Sequence, residues 1–325
     1  MRPVWHFDNG DDTDATIVVS EENGHPYVYV CCETDRIPRD ASYFRRADAV
    51  FTKFQSNKIM RKSLFTFLFI SLIIVAQSQA QSLTRQIGKV SGAYNFWLYE
   101  PAKVDTLKPL VIFLHGNSLC GRDLNMVRKY GTIDAIEKGR NLDAYVIAPQ
   151  NPGGAWKPEK VKLVVDWVIN NKKIDTNRIY VLGMSLGGYG TIDFAATYPN
   201  LVAAGIAMCG GGTRKSYCGL TQVPLWIAHG TADRAVGVRE SDKVVNAMKA
   251  CEGGAPRLHY DRVPGMNHGA LARAFYKKET YEWLFKHSLA EKGRPVHPKT
   301  YTMSYPAFQG VYKGLSSKKR PGLIK

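Results

Sequence analysis

From residue 84 onward the chain alternates short continuous apolar runs with longer stretches of helical apolar period, and few folds accept that alternation. Residues 95–99 (NFWLY), 109–114 (PLVIFL), 144–148 (AYVIA), 178–182 (RIYVL), 203–208 (AAGIAM), 224–228 (PLWIA) and 257–263 (RLHYDRV) read as strands. Several have no polar alternation, as expected where a mostly parallel sheet is covered on both faces. Residues 161–170, 186–198, 241–250 and 278–287 repeat their apolar positions at the helical period. The pattern predicts an α/β domain with an open, mostly parallel central sheet and helices on both faces. No internal repeat is visible.

One strand-to-helix junction carries the chemistry. Gly183-Met184-Ser185-Leu186-Gly187 places a serine between glycines where the 178–182 run gives way to the 186–198 helix, which stops at Pro199. A serine hydroxyl is a poor nucleophile unless it is held exposed beside a base, and a tight turn between strand and helix does this. Ser185 is the candidate nucleophile. Acyl transfer also needs backbone N–H donors aimed at the developing oxyanion. The Leu186 amide is expected to be one, and that of Asn117, or a close neighbour, in Leu114-His115-Gly116-Asn117-Ser118 the other. His115 itself reads as a structural loop residue rather than a base.

Asp233 follows the 224–228 strand in His229-Gly230-Thr231-Ala232-Asp233, where a loop carboxylate orients a histidine. Its competitors are Asp193 and Asp242 in helical patterns and Asp261 in a strand. His268, in Gly265-Met266-Asn267-His268-Gly269, follows the 257–263 strand and can reach back over the sheet as the proton shuttle. His259 lies mid-strand, His287 in a helix and His297 near the C-terminus. The order Ser185, Asp233, His268 is the α/β-hydrolase order, unlike that of the chymotrypsin or subtilisin arrangements.

On these residues the chain resembles a secreted α/β-hydrolase of the esterase type over residues 86–290. It is similar to the lid-less phospholipase/carboxylesterase and dienelactone-hydrolase-like enzymes, including bacterial feruloyl and acetyl esterases and predicted peptidases. Beside the segments above, the resemblance rests on Ala148-Pro149-Gln150, Asp175-Thr176-Asn177-Arg178-Ile179-Tyr180 and Cys209-Gly210-Gly211-Gly212. Dienelactone hydrolases use a cysteine nucleophile, so serine at 185 argues against that activity. The resemblance implies an α/β-hydrolase fold and cleavage of carboxylic esters through an acyl-enzyme, with no metal and no cofactor. Acetyl or feruloyl esters of polysaccharides are the expected substrates. A serine peptidase or amidase on the same machinery is the alternative, and a non-catalytic binding module is disfavoured because every triad position is filled. Only 14 residues separate Cys209 from Pro224, too few for a large helical lid, so an open site is expected. Trp156 lies on the loop after the 144–148 strand, at the edge where open sheets bind ligands, and is the candidate for stacking on a sugar or aromatic acyl group. Tyr189 and Tyr217 are weaker candidates of that kind.

The beginning and end of the chain read differently. Met60-Arg61-Lys62 precedes an apolar run over residues 64–75, then Ala76-Gln77-Ser78-Gln79-Ala80, the order of a secretory signal peptide. The run is about a dozen residues, short of the roughly 20 that span a bilayer. Residues 60–80 are thus expected to be a signal peptide, giving a secreted or periplasmic protein without a stable membrane span in the mature form. A membrane anchor is the rival. Residues 1–59 are expected to be an over-extended gene model or a disordered segment, residues 81–290 the hydrolase domain, and residues 291–325 a basic irregular tail.

The formal charge is +16, but residues 1–80 contribute −1 and the remainder +17. That surface suits a polyanion, yet no nucleic-acid motif is present and no nucleic-acid partner is expected. Beyond the signal, Cys120, Cys209, Cys218 and Cys251 match no zinc spacing, and export permits disulfides. Cys209 with Cys218, leaving Cys120 with Cys251, is one pairing; free buried thiols are the other reading.

Overall fold

A computed structural model describes residues 81–324 and, nearer the N-terminus, three strands. These are β1 (Trp5–Asp8), β2 (Thr13–Glu22) and β3 (His25–Thr34), paired antiparallel in the order β1-β2-β3. These strands fall within residues 1–59, the segment expected to be an over-extended gene model or disordered. The long runs TDATIVVSEE and HPYVYVCCET, separated by Asn23-Gly24, carry β-branched and aromatic residues on either side of a turn signal. The expected signal peptide at residues 60–80 lies outside the described residues.

The second unit is built on an eight-stranded sheet in the order β11-β10-β9-β8-β6-β7-β5-β4. Its strands are β4 (Ser82–Gln86), β5 (Phe96–Glu100), β6 (Lys108–Leu114), β7 (Tyr145–Pro149), β8 (Ile174–Met184), β9 (Ala204–Met208), β10 (Leu225–Gly230) and β11 (Leu258–Val263). The strands from β6 through β11 pair in parallel, while β4 and β5 join antiparallel at one edge.

Side-chain alternation along the buried strands divides the interior into two layers. Leu110, Ile112, Leu114, Val181 and Ile227 face a layer covered by α2 (Pro158–Asn171), α3 (Leu186–Thr197) and α4 (Arg239–Lys249). Val111, Phe113, Tyr180, Leu182 and Trp226 face the opposite layer, covered by α1 (Thr132–Glu137) and α5 (Lys278–Phe285). Strands apolar on both faces are what helices on both faces require.

Residues 291–324 carry little regular structure, with the 3-10 helix Pro306–Phe308 among them, and they pack on the rest of the unit. Met303, Phe308, Val311 and Leu323 are buried in the second layer, and the Leu83 amide donates to the Leu323 carbonyl. The disulfide also differs from either cysteine pairing considered. Cys218 is bonded to Cys251 with Cα atoms 5.4 Å apart, while Cys120 and Cys209 are free. Sequence proximity favoured Cys209–Cys218, but Cys209 is drawn into the interior at the end of β9. Cys218, on a short 3-10 helix, meets the chain just after α4. Among the described residues no helix is long and apolar enough to cross a membrane.

Candidate active site

Ser185 stands between β8 and α3 with φ 60° and ψ −126°, a strained conformation for a non-glycine residue. The surrounding backbone enforces it. The Ser185 amide donates to the Met208 carbonyl at 2.8 Å, and the Tyr189 amide donates back to the Ser185 carbonyl at 3.0 Å. A side chain at Gly183 would meet the Leu114 carbonyl at 2.6 Å, and one at Gly187 would run into that carbonyl. The two glycines let β6, β8 and α3 close on one another beneath the serine.

Asp233 and His268 lie beyond the carboxyl ends of β10 and β11, the same end of the sheet as Ser185. His268 Nδ1 lies 2.6 Å from Asp233 Oδ2. The other carboxylate oxygen accepts the Ala235 and Val236 amides, each at 2.9 Å. Burial works to raise the Asp233 pKa, but the Val236 amide, His268 and the Ala235 amide outweigh it and hold it below its usual value. An ionised acceptor makes Nδ1 the donor and leaves Nε2 of His268 available for proton transfer.

The competing carboxylates are engaged elsewhere. Asp193 accepts the Thr213 amide and hydroxyl at 2.8 and 2.6 Å, Asp242 accepts the Tyr260 hydroxyl at 2.6 Å, and Asp261 accepts the Trp226 indole at 2.7 Å. Among the other histidines, His259 and His287 contact backbone atoms near the C-terminal segment, and His297 lies 3.0 Å from Glu291.

Asn117, Leu186 and Trp156 line a single cleft of about 360 Å³, together with Tyr189 and Asp193. Leu186 opens α3, so its amide is among those without a helical acceptor. His115 organises the facing loop. Its Nε2 accepts the Asn151 amide at 3.0 Å, which places the proton on Nδ1, 2.8 Å from the Gly116 carbonyl. Burial pushes its pKa down to about 4, in keeping with a structural rather than a basic role.

Trp156, the stacking candidate, is held by its neighbours. It is 4% exposed, donates its indole N–H to the His115 carbonyl at 3.2 Å, and packs edge-on against Tyr94 and His115. It also lines the cleft wall. Tyr189 lines the cleft with its hydroxyl 3.3 Å from Glu240.

Two residues near Asp233 were given no part in the site by the sequence. Cys209 has φ 47° and is fully buried, with its thiol 3.8 Å from the His268 carbonyl and its pKa raised by burial. Cys209, Asp233 and His268 bring possible metal-ligating atoms within 4.8 Å of one another. The short Asp233–His268 hydrogen bond, however, engages the atoms that an ion would need. The other residue is His229, whose only signal in the sequence was its place four residues before Asp233.

No family model matches the chain. It is 30% identical over 212 residues to acetylxylan esterase A of Emericella nidulans, covering 58% of this chain and 64% of that protein. It is 29% identical over 183 residues to poly(3-hydroxyalkanoate) depolymerase C of Paucimonas lemoignei, covering 50% and 42%. A solved thermostable esterase superimposes with a TM-score of 0.54 at 26% identity, over 66% of this chain and 64% of that one. The chain has the α/β-hydrolase fold. It spans less than two thirds of each of these relatives. Within this α/β-hydrolase, residues 209–224 between β9 and β10 contain only the 3-10 helix Cys218–Gln222, so no large lid is inserted there.

Proposed function

We propose that the chain is a serine hydrolase of carboxylic esters, acting through an acyl-enzyme. The observation that carries this reading is the Asp233–His268 hydrogen bond at 2.6 Å, at the sheet end where Ser185 is held on a strained turn. In the reaction, Ser185 Oγ attacks the ester carbonyl carbon while His268 Nε2 takes its proton. The oxyanion is met by the amides of Leu186 and Asn117, each such donor being worth about 3 kcal/mol of barrier. The C–O bond to the alcohol then breaks as His268 returns the proton to the leaving oxygen. Water, deprotonated by His268, attacks the acyl-enzyme and releases the acid with Ser185 restored.

Acetyl or feruloyl groups on polysaccharide are the proposed substrates. The acetylxylan esterase relative and the absence of a large insert between β9 and β10 both favour a polymeric ester. Secretion through the segment at residues 60–80 is part of the same proposal. The experiment compares residues 81–325 with the Ser185→Ala form on aryl acetates, methyl ferulate, acetylated xylan and short peptides. Ester hydrolysis that falls by at least about 10³-fold in Ser185→Ala is expected. Ester cleavage that survives the substitution would refute the assignment, and cleavage of peptides alone would replace it with the peptidase reading.

A further inference from the structure

Asp233 carries a second imidazole for which the proposed reaction has no use. His229, in β10, is fully buried. Its Nε2 lies 2.9 Å from the Val236 carbonyl and 3.3 Å from Asp233 Oδ2. Both are acceptors, so Nε2 must carry a proton. Burial lowers the pKa of the ring against the opposing pull of the Val236 carbonyl and Asp233. Ser241 Oγ lies 2.8 Å from Nδ1 and donates its proton to the Gly210 carbonyl at 2.7 Å. The side chains of His229 and Asp233 are both wholly excluded from solvent, so no water substitutes for a lost contact.

The two carboxylate oxygens are then held differently. Oδ1 is fixed by the two amides of its own loop. Oδ2, the oxygen used by His268, accepts no amide; His229 Nε2 approaches it to 3.3 Å while its shorter contact, 2.9 Å, is to the Val236 carbonyl, and the Cys209 thiol is a further neighbour of the carboxylate. We propose that His229 is a positioning residue: through Nε2–H it holds Asp233 Oδ2 where His268 Nδ1 needs it. The inference rests on reading Ser185, Asp233 and His268 as a triad.

Three substitutions separate this role from simple core packing. In His229→Gln the amide nitrogen reaches the place of Nε2 and can still donate to Asp233. In His229→Asn it reaches only the place of Nδ1, toward Ser241. His229→Ala has neither. On 4-nitrophenyl acetate, Ala and Asn should lower kcat by about 10- to 100-fold, the range seen when supporting hydrogen bonds are removed, with KM nearly unchanged. The low-field proton resonance of His268 Nδ1–H should broaden or vanish in both. Gln should keep that resonance and recover most of kcat. Equal impairment of Gln and Asn, or an intact resonance and kcat in Ala, would overturn the proposal. Should Ala fail to fold, the Gln and Asn pair decides, with thermal unfolding recorded for each. Esterase activity surviving Ser185→Ala would instead overturn the triad reading, while the resonance comparison still judges His229.

Discussion

At Ser185 the local geometry and the proposed chemistry make opposite demands on glycine and non-glycine residues. The turn needs φ 60° at the serine itself, and it needs no side chain at Gly187, where a Cβ would collide with the Leu114 carbonyl. Gly187→Ala therefore forces β6 and α3 apart directly beneath Ser185. It should destabilise the fold by several kcal/mol, as expected of overpacking against rigid backbone, and lower kcat in whatever fraction folds. A wild-type melting temperature would contradict that reading. These residues were legible because a glycine pair around one serine is a local signal. His229 was not, because its meaning lies in Asp233 Oδ2 across a loop, and nothing within β10 marks it apart from a core histidine. Trp156 was placed on the right loop, but sequence could not show that the His115 carbonyl and Tyr94 had already engaged it.

Among the elements, the loops after β6 and β7 are joined through His115, which bonds the Asn151 amide and the Gly116 carbonyl. That joint works only with a neutral ring. Burial holds His115 and His287 down to about 4, against an ordinary 6.5. In the unfolded chain both take up a proton as pH falls through 6.5, while the folded protein resists until about 4. The unfolded state thus binds more protons in that window. Stability is full above 6.5 and is lost as pH falls toward 4, by on the order of 3 kcal/mol for each ring. Thermal unfolding midpoints should fall over that range, and His287→Gln should make the fall shallower; midpoints independent of pH, or an unchanged slope in the variant, would refute this.

Most of the sheet's parallel strands were readable to within a few residues because they contain an unbroken apolar run, whereas β11, LHYDRV, mixes apolar and charged residues. Edge strand β4 was not readable, since SLTRQ has one large apolar residue and is half-exposed. Its partner Leu323 lies at the far end of the chain, a pairing that no local pattern encodes. The Cys218–Cys251 bridge escaped for the same reason.

For the second unit as a whole, the last stretch of chain belongs to the core. Met303, Phe308, Val311 and Leu323 are each no more than 6% exposed. Lys319 and Arg128 both pair with the buried carboxylate of Glu137, so part of the basic charge serves internal contacts. Burying four such apolar side chains is worth about 6–12 kcal/mol, comparable with the whole stability of a typical domain, about 5–15 kcal/mol. Deleting residues 300–325 should therefore give an insoluble or unfolded product, judged by circular dichroism and size-exclusion chromatography. A truncated protein that melts like the full chain would show that the segment is only appended. Hydropathy alone suggested a tail because its four buried residues are scattered among basic and proline positions.

The central claim, that Ser185 is a nucleophile activated by His268 and Asp233, is tested most directly by covalent capture. Residues 81–325 are incubated with an alkyl fluorophosphonate, digested, and mapped by tandem mass spectrometry. A single stoichiometric adduct on Ser185 is expected, lost in Ser185→Ala and slowed by about 10²-fold or more in His268→Ala. Absence of labelling at Ser185, or an adduct formed equally fast without His268, would contradict the account.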